Sequence, residues 1–122
     1  MLRRLMMTVL LMGWIVSAEG AVKTLGRSES LRFDPSGYPP EMKSAYAIMQ
    51  AKCTRCHSLE RTVVAVTTGV APISGRPFDH VAVVAYGQKM LRMPNARMSR
   101  DEVKSVVNLL VYLVDSTQSG EK

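Results

Sequence analysis

Both cysteines of this 122-residue chain fall in one pentapeptide, Cys53-Thr54-Arg55-Cys56-His57. Two thiols three positions apart, followed at once by an imidazole, restrict what the rest of the chain can fold around. Three chemistries use such a pair: a redox dithiol, one half of a zinc site, and a porphyrin bound through both sulfurs. A redox dithiol sits at a helix N-terminus after a strand, where the dipole lowers a thiol pKa. Here the pair follows a helical pattern and so stands at the negative end of that helix. A structural zinc site takes four ligands, and outside the pentapeptide the chain offers no cysteine and one histidine, His80. The third chemistry uses every residue present. Thiols at i and i+3 add across the two vinyl groups of one haem, and His57 presents a ring nitrogen to its iron.

The amino terminus bears on where that chemistry takes place. Arg3 and Arg4 precede an apolar stretch from Leu5 to Val16, and small residues follow at Ser17, Ala18 and Gly20. This is the pattern of a secretory signal peptide over residues 1–20, cut before Glu19 or Ala21. The stretch is shorter than the roughly 20 residues that span a bilayer; the other reading is an uncleaved anchor. A chain reduced to about 100 residues supports one domain and buries only about 60–65% of its surface. Domains of that size commonly lean on a disulfide, a metal or another covalent staple, and haem is a bulky apolar filling.

The sequence carries 16 basic and 10 acidic residues, a formal charge of +6. The cations are scattered (Lys43, Lys52, Arg55, Arg61, Arg76, Lys89, Arg92, Arg97, Arg100 and Lys104) and form no run. Such a surface is either solvated or a positive face that steers the protein onto an acidic partner. No basic stripe interleaved with aromatics is present, which argues against nucleic acid.

Residues 21–39, rich in Gly, Ser and Pro, show no sustained period and read as an extended N-terminal arm. Pro40 suits a first helical turn, and Met42, Ala45, Tyr46 and Met49 fall on one stripe. The spacing predicts a helix over about 40–52 that runs directly into Cys53. After His57 the chain reads as an irregular loop wrapped over something apolar, with Val63 to Val66 too short and isolated for a strand. Asp79 opens a second helix, ending near Leu91, with Val81, Val84, Ala85 and Gln88 on one side. Pro94 biases Met93 away from helical dihedrals. Ser99-Arg100-Asp101-Glu102 is a capping box, and Val103, Val106, Val107, Leu110 and Val114 continue a helix to about 115. The expectation is an all-α domain of about three helices over residues 40–118.

With these elements in order, the chain resembles the small bacterial class I cytochromes c from Tyr38 to Asp115. The resemblance implies about three helices packed around one covalent haem c, bound through Cys53 and Cys56 with His57 on the iron. It implies that the first and last helices cross, with Tyr46 and Tyr112 as candidates for the aromatic contact there. The block Lys89-Met90-Leu91-Arg92-Met93-Pro94 also looks like the Lys/Arg-Met-x-Arg-x-Pro stretch of a subgroup with a shortened loop after the haem histidine. Met90 matches the methionine of that stretch and is preferred as second axial ligand, with Met93 the alternative because Met93-Pro94 looks like the Met-Pro of many members. Met42 and Met49, at helical spacing, read as core filling, and Met98 as packing beneath the last helix. His80 could serve as a sixth ligand but reads as a surface residue. The Pro72 carbonyl could accept a hydrogen bond from the far nitrogen of His57, although its spacing departs from the family's.

The resemblance implies an electron carrier rather than an enzyme, exported to the periplasm or beyond. Iron held by histidine and methionine has no vacant site, and thioether sulfur raises its potential relative to a second imidazole. The partners implied are redox proteins with an acidic docking surface, with neither nucleic acid nor stable membrane insertion once the signal is removed. Three competing readings are a dedicated cytochrome subunit of a periplasmic dehydrogenase or reductase complex, with the arm as a docking strap; a haem sensor with an open iron site; and a small disulfide-bearing structural protein without haem.

Overall fold

A computed structural model describes residues 22–119. The signal-peptide reading of residues 1–20 therefore lies outside the described residues. The chain order is a two-stranded antiparallel ladder, β1 (Thr24–Leu25) and β2 (Arg32–Phe33), followed by α1 (Pro40–Cys53), α2 (Glu60–Thr68), α3 (His80–Arg92) and α4 (Arg100–Ser119). The described chain is mostly helical, as expected, with four helices rather than about three.

The last helix organises the rest. Ser99 and Glu102 close the capping box reciprocally: the Glu102 amide donates to the Ser99 hydroxyl at 3.1 Å, and the Ser99 amide donates to the Glu102 carboxylate at 2.9 Å. From that cap α4 runs to Ser119, about a turn past the expected end, burying Val103, Val106, Leu109, Leu110, Leu113 and Val114. These residues form one helical stripe, and α1, α2 and α3 all pack on α4. The core gathers around them, with Met49, Val63, Val66, Val83 and Phe33 fully enclosed.

Pro40 occupies the first turn of α1 and Glu41 accompanies it there. Ala45, Tyr46 and Met49 are buried against the core, and Met42 is partly so. The helix ends on Cys53, as the sequence predicts, and Thr54 begins the turn that carries the rest of the pentapeptide.

Three expectations are corrected. The loop expected after His57 contains α2, whose Thr62, Val63, Ala65 and Val66 face the core. Gly69 closes it in the left-handed region (φ 71°), its amide donating to the Ala65 carbonyl at 3.0 Å. Runs of β-branched residues lower helix propensity, but burial of one face outweighs that bias. The arm is not extended and free. Its strands pair Thr24 with Phe33 and Leu25 with Arg32, and Phe33 is completely buried.

The third correction concerns the face of α3. Asp79 caps this helix, accepting from the Ala82 amide at 3.0 Å, and Met93 leaves it in extended conformation before Pro94. Yet Val83 and Gly87 point inward, while Val81 (78% exposed) and Val84 lie on the outer side. Gly87 lets α3 approach α4, for a Cβ there would overlap a methyl group of Val107. The crossing with α1 also differs in detail. Tyr38 stands edge-on to both Tyr46 (6.2 Å) and Tyr112 (5.8 Å) and mediates between them. Among the described residues no helix is long and apolar enough to cross a membrane.

Candidate functional site

Helix α1 delivers the pentapeptide in a graded environment. Cys53, its last residue, is half-buried and packs against the core, whereas Cys56 and His57 are exposed. Burial pushes the Cys53 thiol above its ordinary pKa, and the carbonyl end of a helix disfavours a thiolate further. Both effects run against a redox dithiol, which needs a stabilised thiolate. Both thiols are free. Among the described residues no group of three or more His, Cys, Asp or Glu side chains is gathered to hold a metal ion, so the pentapeptide gains no zinc-completing partners there.

The imidazole of His57 has one committed nitrogen. Its Nδ1 lies 2.9 Å from the Ser58 carbonyl oxygen. A carbonyl can only accept, so the contact is a hydrogen bond when Nδ1 carries the proton, and the neutral ring that donates it has its lone pair on Nε2. A backbone acceptor on the far nitrogen is what a metal-binding histidine commonly has. The acceptor is Ser58, however, and not Pro72, which lies on an exposed turn.

Two free thiols followed directly by an imidazole are residue types that could hold a covalently bound haem c. The residue types fit that group: Cys53 and Cys56 could serve as thioether anchors and His57 Nε2 as an iron ligand. A cavity of about 1050 Å³ adjoins Cys56 and His57. Its walls come from Gln50 and Thr54 of α1, Glu60 and Arg61 of α2, and Glu29 to Arg32 of the arm.

The methionine candidates lie on another side. Met90 is half-buried in the last turn of α3, one turn beyond Tyr86. Met93 is past the helix end and 45% exposed, its amide donating to the Met90 carbonyl at 3.1 Å. Neither methionine lines the cavity beside His57. The structure brings Cys53, Cys56 and His57 together and leaves both methionine sulfurs at the α3 end. Met49 is core and Met98 packs partly against it. His80 is exposed and engaged elsewhere, its Nε2 2.7 Å from an Asp115 carboxylate oxygen on α4.

Sequence reasoning missed several residues around Cys53. Lys52 donates to the Arg97 carbonyl at 3.2 Å and lies 3.8 Å from Glu102, so the last turn of α1 holds the segment after Met93 and the start of α4. Tyr86 of α3 is half-buried, and the desolvation raises its phenol pKa; side-chain hydrogen bonding to Thr62 works against the rise, and proximity to Cys53 adds to it. Its ring also stands edge-on to Phe78 at 6.5 Å. Periodicity puts Tyr86 and Met90 on one face of α3, a signal legible in the sequence. Nothing local announces the reach of Lys52 or the participation of the arm.

No family model matches the chain, and no curated protein or solved structure matches it.

Proposed function

We propose that this chain is a monohaem c-type cytochrome that carries single electrons between redox partners outside the cytoplasm. The observation that carries the reading is His57: it follows two free thiols directly, with Nδ1 satisfied by a backbone carbonyl and Nε2 left for iron. When bound, haem c supplies a one-electron iron couple. Cys53 and Cys56 would anchor it, and His57 together with Met90, or else Met93, would hold its iron. With a histidine and a methionine both holding the iron, no position would be left for a substrate, and the chain would act as a carrier and not an enzyme. Methionine sulfur favours the reduced ion, as does burial of the ring among apolar side chains.

Export is supported by the pattern of residues 1–20, and periplasmic attachment of haem accords with it. The surplus of cations supports docking on an acidic redox partner. A strap reaching from residues 21–40 to a larger enzyme is less favoured, because Phe33 anchors that segment in the chain's own core.

The test is expression of the full chain in a host that matures c-type cytochromes, followed by a reduced-minus-oxidised spectrum and a carbon monoxide titration. A carrier shows a low-spin haem c spectrum that resists denaturing electrophoresis and binds carbon monoxide slowly. Rapid binding points to an open iron site, and a colourless, folded product with free thiols overturns the reading.

A further inference from the structure

We propose that the outward face of α3 is a self-association surface, on which two copies of this chain pair antiparallel about a twofold axis.

Helix α3 turns Val83 and Gly87 toward the core. On the opposite side Val81, Val84, Ala85, Gln88 and Leu91 follow one another at helical spacing, and all five are exposed. An apolar stripe of this kind ordinarily faces a core. It points away from the side of α3 that carries Tyr86 and Met90, so its exposure does not depend on the haem reading.

The charges along α3 select the occupant. Asp79 caps the start of the helix, and His80 holds Asp115 beside it, Nε2 to carboxylate oxygen at 2.7 Å. Lys89 and Arg92 occupy the last turn, and neither forms an ion pair among the described residues. The helix is thus acidic at its beginning and basic at its end. A surface graded in this way is complementary to itself turned through a half circle, which is the relation of an isologous pair. With the axis at the level of residue 86, Val81 of one copy faces Leu91 of the other, Val84 faces Gln88, and Arg92 reaches Asp79. Ala85, near the axis, presents a single methyl group and lets the helices approach. Antiparallel helix dipoles add to the fit. A membrane surface suits the face less well, because the stripe has no aromatic residue and the charge changes sign along it. One helix pair buries less than the roughly 1,200 Å² of a stable interface, so the dimer is weak and transient.

Sedimentation equilibrium of the full chain, matured as above, tests this between about 10 µM and 1 mM. The parent is expected to show a monomer–dimer equilibrium. V81E places a carboxylate in the apolar contact, twice over by symmetry, and should raise the dissociation constant at least about tenfold. R92E sets like charges against Asp79 and should also raise it. D79S keeps a capping hydroxyl while removing the charge, so D79S/R92E should associate more tightly than R92E. K43Q removes an exposed cation of α1 and should change the constant less than about twofold. Helicity by circular dichroism should match the parent throughout, because every substituted side chain is exposed. A parent that stays monomeric at all concentrations overturns the proposal. So does a dimer that V81E and R92E leave intact, or one that K43Q weakens equally. Each of these results leaves the haem reading standing.

Discussion

The hydroxyl of Tyr46 donates to the backbone carbonyl of Phe33 across 2.9 Å, and the two rings stand edge-on at 6.3 Å. This buried bond ties the hairpin to α1 thirteen residues later. Removing the donor leaves a buried carbonyl without its partner, which costs about 1–3 kcal/mol. Tyr46→Phe is expected to lower stability by that amount in urea unfolding while preserving the ring contact. Proteolysis near Arg27 should accelerate in the variant, because the arm is then held by packing alone. An unchanged cleavage rate would show that the hydrogen bond is not what fastens the arm.

Tyr38 presents the opposite case. Its ring fills the gap between Tyr46 and Tyr112, but its hydroxyl is buried and has no hydrogen-bond partner among the described residues. Tyr38→Phe keeps the edge-on geometry and removes an unsatisfied group. The variant is expected to be as stable as the parent or more so, by up to about 1–3 kcal/mol, as read from thermal unfolding. Loss of stability would reveal a partner for the hydroxyl.

Alkaline pH tests the same cluster. Burial pushes the phenols of Tyr38, Tyr46 and Tyr86 above their ordinary value. An unfolded tyrosine ionises near pH 10, so above that pH the unfolded chain releases protons that the folded chain retains. The folded state then binds more protons, and stability falls as pH rises. The contribution of these phenols is fully present below about pH 10 and is lost above it. Urea midpoints measured between pH 8 and 11 should decline through the upper half of that range, and less steeply in Tyr38→Phe.

Those residues mark what the sequence made legible. Capping boxes, prolines and stripes act within a few residues, and the ends of α1 and the starts of α3 and α4 follow from them. The pentapeptide likewise stands out as a candidate site because its residue pattern is local. What was hidden depends on contacts distant in sequence. Val63 to Val66 become helical because α4 offers a surface to bury them. Phe33 looks like one aromatic residue in a polar arm until the core accepts it. The inner face of α3 centres on Val83 and Gly87, since only glycine allows the close approach to Val107. A count of apolar residues favours the opposite face.

That approach makes Gly87→Ala informative. Alanine alone would favour the helix by about 1 kcal/mol. Here its Cβ meets a methyl of Val107, a β-branched side chain with little rotamer freedom in a helix. Overpacking of this kind costs about 1–3 kcal/mol, so the net effect is expected to be a loss of about 1 kcal/mol in urea unfolding. Combining it with Val107→Ala removes the obstructing methyl, and the two changes should then be less than additive. Full additivity would mean that the helices can separate without cost.

Under the proposed haem reading, the surroundings of Cys53 bear on which methionine would be the second ligand. Tyr86 lies near Cys53, and Met90 sits one turn farther along the same half-buried face of α3. Met93 precedes by four residues the Arg97 carbonyl that Lys52 holds, and it is 45% exposed on extended backbone. A thioether ligand works best where solvent is excluded from its sulfur, because burial strengthens its preference for reduced iron. In the matured protein, Met90→Ala is therefore expected to abolish the weak long-wavelength sulfur–iron absorption, lower the midpoint potential and open reduced iron to rapid carbon monoxide binding. Met93→Ala should keep the band and remain slow to bind the gas. Survival of the band in Met90→Ala, with its loss in Met93→Ala, would move the ligand to the far side of the helix end and make the Lys52 tether the element that positions it.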